Sequence, residues 1–128
     1  MANKVILDAN IWIGYFNDRD SLHKQSQKIV EGMDMVYVPE YVVLESVSIL
    51  KMKATAKMAN FCLDVFMHTP TIVIIPSSDL FTKTISLFQI LNEKHLSFVD
   101  VSLLALSRDY EVKTFDKKLA AAIRKFNK

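Results

Sequence analysis

Cysteine occurs once in the 128 residues, as Cys62. That excludes a disulfide within the chain and any cysteine-rich zinc site, and it fits a reducing, cytoplasmic setting. Glycine and proline are nearly as scarce, at two and three, too few for an all-β domain built on many tight turns. Long apolar runs are missing too. Val5-Ile6-Leu7 is interrupted by Asp8, well short of the roughly 7–15 apolar residues of a signal peptide. No stretch approaches the ~20 residues of a membrane span. The expectation is a soluble, cytoplasmic protein without membrane contact.

What is present can build a core. Hydrophobic residues make up 51% of the chain and charged residues 23%, and the length suits one domain over residues 1–128. Charge is unevenly placed. Residues 1–112 hold ten Lys and Arg against thirteen Asp and Glu, and residues 113–128 hold six against Asp116 alone. An acidic body thus joins a basic end. A polyanion held at that end, with a metal in the acidic body, is one reading, but taken alone the charge pattern is better explained by a solvated terminal helix.

Short β-branched runs alternate with helical patterns. Lys4–Leu7, Met35–Val38, Thr71–Ile75 and Glu111–Phe115 read as strands, three of them as buried. Asn10–Phe16, Ser21–Gly32, Pro39 to about Met52, Thr55 to about His68, Ser78 to about Lys94, Ser97–Asp109 and Lys117–Phe126 read as helices. Asp20 or Ser21 is placed to cap the second of these, and Pro39 to open the third. Solid apolar strands between helices predict an α/β protein, three-layer α/β/α, with a central parallel sheet of four to five strands.

In such sheets ligands gather outside the carboxyl ends of the strands, so acids there carry the functional question. Asp8 ends the first strand and Asp116 the last, and both are also well placed as N-caps. Asp100 completes a capping box with Ser97. Glu45 differs, because it is the one charge in Tyr41–Leu50 and neighbours Tyr41, Val42, Ser48 and Ile49 on a helix. A carboxylate pressed on that face needs a cation or access to water. Four acids brought together repel one another, and a hard divalent cation relieves them. No His or Cys stands beside them in a zinc-like spacing.

Val-Ile-Leu-Asp8-Ala-Asn10, the apolar helix with Glu45, Ser-Phe-Val-Asp100-Val-Ser-Leu-Leu-Ala and Thr114-Phe-Asp116 together resemble the PIN-domain ribonucleases, above all the small single-domain toxins of the VapC type. The resemblance runs in order over nearly the whole chain. It implies a Mg²⁺- or Mn²⁺-dependent endoribonuclease that hydrolyses single-stranded or structured RNA, leaving a 5′-phosphate and a 3′-hydroxyl. Asp8, Glu45 and Asp100 match the family's metal-binding acids and Asp116 its more variable fourth acid. Asn10 and Thr114 match supporting polar residues. The implied partners are RNA, a small cognate antitoxin and a second copy of the chain. Ala9 stands where the family often has Thr or Ser, which puts the rate in question more than the reaction.

Around this frame, Lys113, Lys117, Lys118 and Arg124 are candidates for steering the RNA backbone, with Lys51, Lys53 and Lys57 as a second rim. Trp12, Tyr15 and Phe16 stand near enough to the first acid for base stacking, but are read rather as core or as a partner face. Among Leu80, Phe81, Phe88 and Leu91 some are read as a dimer surface, Cys62 as a buried hydrophobe, and His23, His68 and His95 as surface residues without a role. Two rivals share the α/β pattern. A receiver-like signalling domain needs paired acids after the first strand, and a haloacid-dehalogenase phosphatase needs Asp-x-Asp there; Asp8-Ala9-Asn10 supplies neither. A catalytically silent PIN-like module binding RNA or protein is the third alternative, and a housekeeping nuclease the fourth.

Overall fold

Four short strands carry the architecture: apolar runs form β1 (Val5–Leu7), β2 (Val36–Pro39) and β3 (Ile72–Ile75), and the mostly charged Glu-Val-Lys forms β4 (Glu111–Lys113). The computed structural model describes residues 3–128. All strand pairings are parallel, in the order β3-β2-β1-β4. Ile6 pairs Tyr37, Leu7 pairs Lys113, and Val38 pairs Ile74. In the receiver type of doubly wound sheet the third strand lies beside the first; here β4 takes that place, and the topology departs from that rival.

Helices α1 (Ala9–Phe16), α2 (His23–Glu31), α3 (Glu40–Lys53) and α4 (Ala56–His68) pack on one another as one layer, and α5 (Ser78–Ile90), α6 (Phe98–Leu106) and α7 (Lys117–Phe126) as the other. The central strands β1 and β2 bury Ile6, Leu7 and Val38 completely between them. Trp12, Val42, Leu50 and Phe66 fill one side of the core, and Leu103, Leu104 and Leu119 belong to the same cluster. Each such side chain contributes about 1.5–3 kcal/mol on burial.

Several boundaries differ from the sequence expectation. β3 is an edge strand and only half-buried, with Val73 exposed. A β-branched run marks a strand but not its place in the sheet. α5 stops at Ile90 rather than near Lys94, and α6 at Leu106 rather than Asp109. Thr114 and Phe115 lie beyond β4 in the loop. Pro39 closes β2 and serves as N-cap of α3 instead of entering its first turn. Neither Asp20 nor Ser21 caps α2: Leu22 holds the N-cap position, and Asp20 accepts the Leu22 N–H in a turn. His23 is not merely a surface residue. Its Nδ1 lies 2.8 Å from the Gly14 carbonyl, linking α2 to α1.

Candidate active site

Because every strand is parallel, Asp8, Glu40, Pro76 and Thr114 follow strand ends on one edge of the sheet. Register does the finer placing. Leu7 pairs Lys113, and the Asp8 N–H extends that ladder to the Lys113 carbonyl at 2.9 Å. The next residues, Asp8 and Thr114, are thereby brought side by side.

Their side chains meet. The Thr114 hydroxyl donates to Asp8 Oδ2 at 2.7 Å, and the Ala9 N–H donates to Asp8 Oδ1 at 2.7 Å. Thr114 Oγ1 in turn accepts from Asn10 Nδ2 at 3.1 Å and from the Asp116 N–H at 3.0 Å. Asn10 Oδ1 accepts the Phe115 N–H at 3.2 Å. One hydroxyl donor and its two acceptor positions are all used. Asn10 and Thr114, singled out in the sequence, thus lock the loop after β4 onto the start of α1.

The other acids arrive on helices. Asp100, the third residue of α6, accepts the Ser97 N–H through Oδ2 at 3.0 Å while the Ser97 hydroxyl accepts the Asp100 N–H at 3.1 Å, the capping box that the sequence predicts. Asp116 caps α7, its Oδ1 accepting from Lys118 N–H at 2.8 Å and Leu119 N–H at 3.2 Å. In both, capping fixes the carboxylate through one oxygen, so the cap and the functional reading coexist. Glu45 is half-buried on α3 and makes no hydrogen bond or ion pair among the described residues.

Electrostatics tie the four into one group. Asp8 is 5% exposed. Burial raises its pKa, against the Thr114 and Ala9 hydrogen bonds that lower it, and the charges of Asp100 and Asp116 raise it further. Burial likewise raises Glu45, helped by Asp8 and Asp100. No cationic side chain answers them; the one ion pair among the described residues joins Lys113 to Glu111 at 3.1 Å, away from the acids. A carboxylate-only set without a cation is what a hard, oxygen-seeking divalent ion fits. Among the described residues no three acidic, His or Cys side chains already enclose a point where an ion would sit. The acids are held within electrostatic reach by separate anchors rather than drawn together. A cavity of about 300 Å³ lined by Ile75, Leu80, Asp109 and Tyr110 has none of the four acids in its wall.

The remaining candidates divide. Lys117, Lys118 and Arg124 are exposed on α7, but Lys113 is held by Glu111. Lys51, Lys53 and Lys57 are exposed at the far end of the α3–α4 hairpin. Trp12 is core, edge-on to Phe66 at 4.9 Å between ring centroids, so it offers no base-stacking face. Aromatic residues also stand beside the acids in the chain: Phe115 next to Asp116, Tyr41 one turn before Glu45, and Phe98 two residues before Asp100, with the Tyr41 and Phe98 ring centroids 6.1 Å apart. No local pattern marks the Tyr41–Phe98 pair, which joins two distant segments. Glu40 is likewise hidden in the sequence: its Oε1 accepts the Ser77 N–H at 2.7 Å and the Ser77 hydroxyl at 2.8 Å. Those bonds hold its carboxyl below the usual range and bind the β2–α3 junction to the β3–α5 junction. A Pro-Glu pair at a strand-to-helix junction is the one signal that points to it.

Comparison with known proteins bears on the family and the fold. The family model described as PIN domain matches residues 5–125. No curated protein matches the sequence significantly. Among solved structures, the chain is similar to the sarcin–ricin-loop-cleaving toxin VapC20 of Mycobacterium tuberculosis, with a TM-score of 0.83 at 18% identity over 93% of this chain and 95% of that one.

Proposed function

The chain belongs to the PIN domain family, and from that premise we propose that it is a single-domain, divalent-metal-dependent endoribonuclease and the toxin of a toxin–antitoxin pair. The observation that carries the reading is the group of four acids beyond the strand ends, two of them with raised pKa and none with a cationic partner among the described residues. The structural likeness to a toxin that cleaves the sarcin–ricin loop supports the same class of substrate.

Asp8, Glu45 and Asp100 would hold Mg²⁺ or Mn²⁺, with Asp116 assisting. When bound, the ion supplies Lewis-acid activation of a phosphodiester and of water. The protein's own contribution is preorganisation. Thr114 and the Ala9 N–H fix the Asp8 carboxylate, Ser97 fixes Asp100, and the first turn of α7 fixes Asp116. Glu45 has no such bond among the described residues and is placed only by its half-buried position on α3. Lys117, Lys118 and Arg124 supply positive potential for the RNA backbone beside these acids. No 2′-hydroxyl nucleophile takes part. End analysis of cut RNA tests this: 5′-phosphate and 3′-hydroxyl ends are expected, and a 2′,3′-cyclic phosphate contradicts the hydrolytic mechanism.

The toxin acts as a homodimer in the cytoplasm and is silenced by a small antitoxin. Support for the dimer comes from α5, where Phe81, Ile85 and Phe88 are 51%, 36% and 45% exposed at helical spacing. Leu80 and Thr84 of the same helix face inward. No helix among the described residues is long and apolar enough to cross a membrane.

A further inference from the structure

The α5–α6 loop and α7 enclose a groove that the acids do not use. Two cavities of about 290 and 270 Å³ share Glu93, Leu96, Ala122 and Lys125 in their walls, and so form one continuous trough. Its floor is apolar, with Leu96 buried and Leu104 and Ala122 beside it. Its rim is mainly cationic. Lys118 and Lys125 stand along the α7 side, exposed and without ion pairs among the described residues, and His95 stands opposite with Glu93 as the one carboxylate.

The groove begins where the acids are anchored. Leu96 precedes Ser97, which is bonded to Asp100, and Lys118 donates its N–H to Asp116. From there it follows α7 to Phe126, whose ring carries the Arg108 guanidinium 4.2 Å from its centroid. An occupant must therefore have apolar faces for the floor and regular negative charge for the rim. It must also reach the acid cluster. A single strand of RNA has all three: bases with π-faces that rest on apolar and aromatic surface, and phosphates that pair with Lys.

We infer that this groove is the seat of the nucleotides flanking the scissile phosphate, with Lys118 and Lys125 gripping the backbone and the Leu96–Ala122 floor receiving the bases. The inference rests on the ribonuclease reading and gives it a direction, the RNA leaving the acids along α7. It adds Lys125, which the charge count alone does not distinguish from its neighbours, and gives His95 a place on the wall.

Binding tests it apart from cleavage. The full chain carrying Asp8→Asn, in EDTA, is titrated with a fluorescent single-stranded oligoribonucleotide pool. Ala121→Trp, which fills the groove from an exposed helix position, and Lys125→Glu are each added to it. Lys28→Glu, on α2 in the opposite layer, makes the same charge change as a control. The groove predicts that Ala121→Trp and Lys125→Glu each weaken binding about tenfold or more. It further predicts that Lys125→Glu flattens the salt dependence by about 0.7 in log–log slope, and that Lys28→Glu leaves both unchanged. Parent-like binding by both groove variants overturns the inference, as does equal weakening by Lys28→Glu or no binding by the parent. Loss of self-association with RNA binding intact assigns the groove to a protein and also overturns it. Cleavage of the same pool by the wild-type chain with Mn²⁺ judges the underlying reading separately. Groove-dependent binding without cleavage removes the nuclease and leaves the groove; cleavage with groove-independent binding removes the groove alone.

Discussion

Thr114 Oγ1 donates to Asp8 Oδ2 at 2.7 Å, across 106 residues of sequence. The bond follows from register, since Leu7 pairs Lys113 and each chain then takes one more step. It makes a loop hydroxyl the hub of the candidate site, for the same oxygen accepts from Asn10 Nδ2 and the Asp116 N–H.

Thr114→Val keeps the shape and removes the hub. It leaves two donors unanswered and strips a charge-assisted bond from Asp8, at a cost of about 2 kcal/mol of stability. Turnover falls about 10–100-fold. Thr114→Ser restores both. Thermal melts together with kcat/KM for RNA cleavage check this; a Val variant with wild-type turnover removes Thr114 from the positioning role.

The acids make the metal-free protein pay for its own site. Asp8 and Glu45 both titrate above their ordinary values of 3.8 and 4.5. For an acid with a raised folded pKa, the folded state binds protons more readily than the unfolded one. The stability that these groups contribute is therefore present when they are protonated. It is lost as pH rises from those ordinary values through the raised ones. Glu45→Gln is expected to raise the Tm of the metal-free protein by a few degrees at neutral pH and to reduce the further rise that Mn²⁺ gives the wild type. Melts from acid to neutral pH, with EDTA and with Mn²⁺, show it. An unchanged or lower Tm for the metal-free variant contradicts this account of the acid cluster.

How far these features were legible from the sequence depends on their range. Asp100 with Ser97 and Asp116 before Lys117 are local patterns, and the structure holds both as read. The central strands β1 and β2 also follow from local runs, because a strand buried on both faces must be apolar throughout. The proximity of Asp8 to Thr114 is different. It depends on β4 pairing with β1 rather than with β3, and a three-residue strand of sequence Glu-Val-Lys carries little to specify that. The Tyr41–Phe98 pair and the Glu40–Ser77 bonds are hidden for the same reason, since each joins segments brought together only by the tertiary fold. Where α5 ends was misplaced because helical periodicity continues into Leu91, yet that residue is its C-cap with extended backbone.

Cys62 is fully buried in α4 and its thiol is pushed up to about 12 by burial. It is expected to resist thiol reagents at neutral pH in the folded protein and to react fully in denaturant, since only the thiolate is nucleophilic. Time-resolved labelling with and without guanidinium reports the difference. Rapid labelling of the folded chain contradicts this packing.

Ile85 lies between Phe81 and Phe88 on the exposed stripe of α5. Ile85→Lys places a charge in the proposed dimer surface, and sedimentation should then find a monomer where the wild type is a dimer. A wild-type monomer at micromolar concentration removes the dimer from the proposal; a variant that remains dimeric moves the interface elsewhere.

Cleavage of a mixed RNA pool tests the central claim most directly, comparing wild type with Asp8→Asn, each with Mn²⁺ and with EDTA. Asn keeps an N-cap at the end of β1 and removes the buried charge. The account predicts cutting by the wild type with Mn²⁺ and by none of the other three. Equal cutting by both proteins, or cutting undiminished by EDTA, contradicts a metal-dependent site built on Asp8.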